Sequence, residues 1–173
     1  MSYWQDRRRT YPQFFKAAYQ AIIDYPLDTE IVATAISLMP NGDPSYPSMT
    51  PLLEFAAGRY FAYRSPGAQY PASTMGFVVE DLSWRYVRDR QFDRAIALVE
   101  RLKRERAGEM NDHQWQLVHL PYAAALDGAG RTRDAVTTLQ AALQQYPRGD
   151  WKKRIGDAIQ QYQSKLASHP TPP

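Results

Sequence analysis

Three histidines, His113, His119 and His169, are the side chains of this sequence that titrate near neutral pH without help from their surroundings. None stands in an H-E-x-x-H arrangement, and the chain has neither a G-x-S-x-G elbow nor a glycine-rich phosphate loop. Glu105, Glu109 and His113 are spaced by fours, as metal ligands on one helix face would be. Gly108 and Asn111-Asp112 should break the helix between them, so no metal is expected there. The chain has no cysteine, which removes thiolate nucleophiles, thiolate metal sites and disulfides together. His119 falls within a helical pattern and reads as a packed or groove-lining residue. Acid–base catalysis also needs a second positioned group, and none can be named. The residues therefore point to a chain that is not an enzyme and holds no cofactor.

Basic residues are the next candidates. The net charge is +3 and the pI near 9.1, a weak pull toward anionic partners. Arg88, Arg90, Arg94, Arg101, Lys103, Arg104 and Arg106 fall in one stretch, but Asp89, Asp93, Glu100 and Glu105 are interleaved with them. Glu100 with Arg104, and Arg101 with Glu105, have the i,i+4 spacing of helix ion pairs. The stretch reads as a solvated helix face, and Arg7-Arg8-Arg9 and Lys152-Lys153-Arg154 are smaller clusters of the same kind. No conventional nucleic-acid motif accompanies them, so nucleic acid is not the expected partner. No apolar run approaches the roughly 20 residues that cross a bilayer, and no helix pairs a basic face with a strongly apolar one. Nothing near Met1 resembles a leader. A cytoplasmic location is expected, or a periplasmic one if the chain as given has been trimmed.

The elements that would carry these side chains are helices. The 173 residues, 44% hydrophobic and 23% charged, suit one globular domain. Alternating β-branched runs are absent. Tyr11, Phe14, Phe15, Ala18, Ile22 and Tyr25 share one helical face, and Pro26 stops that helix. Asp28 caps a second helix, which runs through Ile31, Ala35 and Leu38 to Pro40. Residues 40–48 are loop by composition. Thr50-Pro51 starts a third helix, which Ser65-Pro66-Gly67 ends. A fourth is expected over about 73–89, and a fifth through Phe92, Ala95, Ile96, Val99 and Leu102. A sixth runs from Asn111-Asp112 to Asp127, with Asn111 and Gln114 in capping-box spacing and Pro121 implying a kink or a late start. A seventh carries Ala135, Val136, Leu139, Ala142, Leu143 and Tyr146. The eighth, opened by Asp150, carries Trp151, Ile155, Ala158, Ile159, Tyr162 and Leu166, and residues 168–173 form a disordered tail.

Two stretches repeat each other. Arg94-Ala95-Ile96 is answered 40 residues on by Asp134-Ala135-Val136, each after a large residue, Tyr86 or Leu126, and a turn. Helix stops recur near 26, 66, 107 and 147. These spacings divide the chain into an N-terminal segment with a part-repeat helix at 1–26, hairpins at 27–66, 67–107 and 108–147, and a capping helix at 148–167. Within the hairpins, Val79-x2-Leu82-Ser83-x2-Tyr86 precedes Ala95-x3-Val99. Tyr122-Ala123-x2-Leu126 precedes Ala135-x3-Leu139 and then Pro147. In these positions the chain resembles the tetratricopeptide repeat family, although its period of 40 exceeds the usual 34 or so. The 27–66 unit fits the pattern least, since Ala56 and Ala57 sit too near Pro66.

The resemblance implies an all-α, right-handed α-solenoid of helical hairpins that binds a protein or peptide in its concave groove, as an adaptor or scaffold. It places Phe77, Glu80, Trp84 and Val87 on the groove side of the central unit, and Leu117, Leu120, Ala124 and Asp127 on that of the next. The family's lysine–asparagine clamp for peptide carboxylates is missing, because Glu80 and Trp84 stand there. A mixed aromatic and acidic groove implies a partner with apolar anchors and some basic charge, and Trp84 is its best hot-spot candidate. A small helical inhibitor, immunity factor or chaperone for one folded partner is the alternative. The unpartnered 11–25 helix implies a cap from Trp4 and its neighbours, a longer repeat array, or a homo-oligomer.

Overall fold

A computed structural model describes residues 16, 17, 19–25, 28, 31, 50–62, 73–109, 112–146 and 151–168. All regular structure among them is helical, and no strand occurs among them. The helices described in full are α1 (Thr50–Ala62), α2 (Ser73–Arg88), α3 (Phe92–Arg106), α4 (Asp112–Gly128), α5 (Thr132–Gln145) and α6 (Lys152–Ser168). A single 3₁₀ turn, Ala107–Glu109, separates α3 from α4. That turn interrupts the Glu105–Glu109–His113 spacing where Gly108 predicted a break. Most expected helix bounds agree within a residue or two. Asp28 caps as expected, its carboxylate accepting the Ile31 amide at 3.1 Å. The Asn111 cap, the Asp150 start, the stops at 26, 66 and 147, Trp4 and the tail from 169 lie outside the described residues. So does most of the expected 28–40 helix.

Pro121 does not delay α4, which starts at Asp112 and runs through the proline. The missing Pro121 N–H leaves the Leu117 carbonyl without its helical donor. Packing of α4 against α3 on one side and α5 on the other outweighs that loss.

The chain divides between Val78 and Val79, inside α2, into two compact units. In the first, α1 buries Leu52, Leu53, Ala56, Ala57, Tyr60 and Phe61. In the second, α4 lies between α3 and α5, and α6 packs on α5 and touches α4. Ile155 and Ile159 are the buried hydrophobic residues of α6, with Ala158, Tyr162 and Leu166 half-buried beside them.

The 40-residue offset recurs in three dimensions. Leu82, Ser83, Arg85 and Tyr86 are buried on α2, and Tyr122, Ala123, Ala125 and Leu126 on α4. Ala95, Ile96, Val99 and Leu102 are buried on α3, and Ala135, Val136, Leu139 and Ala142 on α5. The turns match bond for bond. Asp89, Arg90 and Gln91 donate to Arg85, Val87 and Tyr86 at 2.9, 3.1 and 2.7 Å. Ala129, Gly130 and Arg131 donate to Ala125, Asp127 and Leu126 at 3.0, 3.0 and 2.8 Å. The sequence signal was thus a real periodicity of backbone and core.

Both turns need one left-handed residue. It is Gly130, with φ of 80°, in the second turn, and Arg90, with φ of 58°, in the first. Glycine adopts this conformation freely, whereas arginine bears a Cβ clash there. Arg90→Gly should therefore stabilise the protein by about 0.5–1 kcal/mol, and Gly130→Ala should destabilise it by about 1 kcal/mol, both measured by urea unfolding. Equal and like-signed effects would show that the turns are not equivalent. Gly128 is required for a different reason. The Phe92 ring lies 2.3 Å from where its Cβ would stand, so the start of α3 rests against the end of α4.

A part-buried polar cluster lies where α3 meets α4. Tyr122 donates to a Glu100 oxygen at 3.2 Å, and the Lys103 ammonium lies 4.3 Å from the centre of the Tyr122 ring. Glu100 is thus engaged by Tyr122, not by Arg104 as the spacing suggested; Arg104 and Arg101 both reach Glu105, at 3.4 and 3.1 Å. His119 is buried with its Nδ1 on the Trp115 carbonyl, which requires the proton on that nitrogen. Burial, with the nearby Lys103 charge, pulls the imidazole down to about 4, and the Trp115 carbonyl only partly opposes this.

Candidate partner-binding site

The second-unit part of α2 presents Glu80 and Trp84 one turn apart, hence on one helix face. Trp84 is 38% exposed, a large apolar surface outside the core. Trp84 is therefore not fully enclosed in the core, although part of its side chain still packs against the protein. Glu80 beside it is half-buried. Its carboxyl is pushed up to about 7, mainly by burial and secondarily by the Asp81 charge. Hydrogen bonding from the Trp84 side chain and the charge of Arg154 act in the opposite direction. Asp81 is already taken by Arg85 at 2.9 Å. Glu80 has no ion pair among the described residues. Arg154, brought in from α6, stacks on Trp151 at 4.2 Å and contributes to Glu80 only through its field.

A carboxyl held this way costs stability when charged. Its folded pKa lies above the unfolded value, so the native state binds the extra proton between about pH 4.5 and 7. The favourable contribution is complete below 4.5 and is lost as pH rises through 7. The neutral isostere Glu80→Gln should then stabilise the protein at pH 8 by about 1–2 kcal/mol, after allowance for solvent screening, and much less at pH 5. Thermal unfolding at both pH values checks this. A gain at pH 5 as large as at pH 8 would show that ionisation of Glu80 is not the cause.

The other residues expected in the groove are placed differently. Val87 is half-buried on α2, and Ala124 half-buried on α4. Phe77 belongs to the first unit, where it is 40% exposed. Leu117 and Leu120 are 2% and 9% exposed, so they are core residues and do not line an open surface. The reason is that α4 has a neighbouring helix on two sides and no broad free face. Asp127 is occupied within the fold: its Oδ1 accepts from Thr132 and from Lys165, each at 2.7 Å, tying the α4–α5 turn to α6. What the sequence missed is the effect of the Arg154 charge on Glu80 of α2. The Lys152-Lys153-Arg154 cluster was its only trace, and local spacing cannot show which distant helix a charge will face.

The described residues are all-α and contain two helix–turn–helix elements with matching turns, with an exposed tryptophan beside a half-buried carboxyl on α2. Comparison with protein-family models, with curated proteins and with solved structures finds no match. No helix of the described residues is long and apolar enough to cross a membrane.

Proposed function

We propose that this chain is a tetratricopeptide-like interaction module that binds a protein or peptide through the Glu80–Trp84 face of α2, as an adaptor or scaffold and without catalysis of its own. One observation carries the reading. An exposed tryptophan and a half-buried carboxyl with no ion pair among the described residues share a helix face, although each lowers the stability or solubility of the isolated protein. Groups that are unfavourable in the free protein are accounted for when a partner covers them. The 40-residue match between the α2–α3 and α4–α5 elements supports the repeat reading.

The test is capture from a native lysate by the intact chain, by Trp84→Ala and by Arg104→Ala, all shown to be folded by circular dichroism. Arg104 is a control on an exposed, remote side chain. A partner lost with Trp84→Ala and kept with Arg104→Ala is the expected result. A partner held equally by all three, or captured by none, would overturn the assignment of this face.

A further inference from the structure

We propose that Glu80 and Trp84 form a receptor for the arginine or lysine side chain of a partner polypeptide. This rests on the binding reading above and specifies the chemistry of its partner. A cationic side chain is recognised best by an aromatic face together with a carboxylate, one supplying its quadrupole and the other a charge-assisted hydrogen bond. The protein uses the aromatic half of this device repeatedly within itself. Arg94 lies 4.4 Å from the Tyr86 ring centre, Lys103 4.3 Å from that of Tyr122, and Arg154 4.2 Å from that of Trp151. Trp84 differs from those three rings. It is exposed and carries a carboxyl beside it, yet no cation lies over its ring among the described residues. Charge complementarity therefore calls for a cation from outside.

The neighbours of Glu80 decide how such a cation would bind. The groups acting on it are Asp81 of its own helix, already engaged by Arg85, and Arg154 from α6, already stacked on Trp151. Neither supplies a contact counter-ion among the described residues, so an incoming guanidinium or ammonium would meet a half-buried carboxyl whose one neighbouring donor is the Trp84 side chain. Binding would favour the ionised form of Glu80, because a cation stabilises the carboxylate and not the acid. The protein should thus release a proton on binding near neutral pH.

The experiment is selection of a displayed library of 12-residue random peptides on the full chain, counter-screened on Trp84→Ala. Selected sequences are then resynthesised without histidine and titrated against the intact chain and Glu80→Gln. The expected result is that the peptides sensitive to Trp84→Ala carry arginine or lysine beside apolar residues. Glu80→Gln should weaken them about tenfold or more at pH 8. With the intact chain they should bind about tenfold more weakly at pH 6 than at pH 8, and Glu80→Gln should remove that dependence. Peptides sensitive to Trp84→Ala that lack a cation, or that ignore Glu80→Gln, would overturn the cation receptor and leave the binding face standing. Failure to select any peptide sensitive to Trp84→Ala would overturn both.

Discussion

Leu139→Ala should lower the unfolding free energy by about 2–5 kcal/mol, the largest effect expected of a single substitution in the second unit. Leu139 is fully buried on α5, the helix that packs against both α4 and α6. Truncation removes the transfer free energy of the lost carbons. It also leaves a cavity that two flanking helices cannot close without breaking their other contacts. Its counterpart 40 residues earlier is Val99, also fully buried. Val99→Ala removes fewer carbons, so it should cost less, about 1–3 kcal/mol. Gln140, exposed on the same helix, should tolerate alanine within about 0.5 kcal/mol. Urea unfolding of the three variants checks the order. If Leu139→Ala proved as mild as Gln140→Ala, α5 would not be the central helix of this core.

Acidification should destabilise the protein through His119, by on the order of 3 kcal/mol between pH 7.5 and 4. The sign follows from the depressed folded value of about 4 against an unfolded value of 6.5. Above 6.5 neither state is protonated and the stability is complete. As pH falls from 6.5 toward 4 the unfolded chain takes up the proton first, and stability declines. The imidazole is sealed among Trp115, Tyr146 and the Lys103 side chain, so a second positive charge there has neither water nor a carboxylate to accept it. His119→Gln cannot become charged. It should lose some packing at pH 7.5 but show a shallower decline of stability down to pH 4.5. Other carboxylates titrate in both proteins, so the difference between the two slopes isolates this residue. Parallel slopes would remove His119 as the source of acid sensitivity. The same substitution should leave peptide capture at Trp84 unchanged at pH 7.5, since His119 lies in the core.

Glu80 and His119 show together how a buried environment assigns roles to titratable groups. Burial shifts both toward their neutral forms, but only one stands beside an exposed surface. His119 has a hydrogen-bond acceptor supplied by its own helix, and its neutrality is a condition of folding. Glu80 has no counter-ion among the described residues, and in the proposed function its charge serves a partner.

Much of the architecture follows from sequence alone. Apolar spacing gave helices, Asp28 and Thr50-Pro51 marked two of their starts, and the alanines at 95 and 135 marked two elements with matching buried positions. These features are local: they depend on the 3.6-residue period and on turn chemistry, which adjacent residues impose on one another. The Glu80–Trp84 pair was legible for the same reason, since residues four apart in a helix must be neighbours. Exposure was not. Leu117, Leu120 and Trp84 are all large and apolar at comparable positions of two repeats, yet two are core and one is surface. Helix packing decides that, because burial depends on which faces of α2 and α4 other helices cover, and local spacing does not set this. Asp127 was equally open to a partner or to the fold until Lys165 and Thr132 took its carboxylate. The field of Arg154 at Glu80 likewise joins residues far apart in sequence. The sequence by itself determined the helices, their ends and their period, because those are short-range consequences of the backbone. Only the tertiary structure decided which side chains remain in water, because burial is a property of what packs against a helix and not of the helix itself.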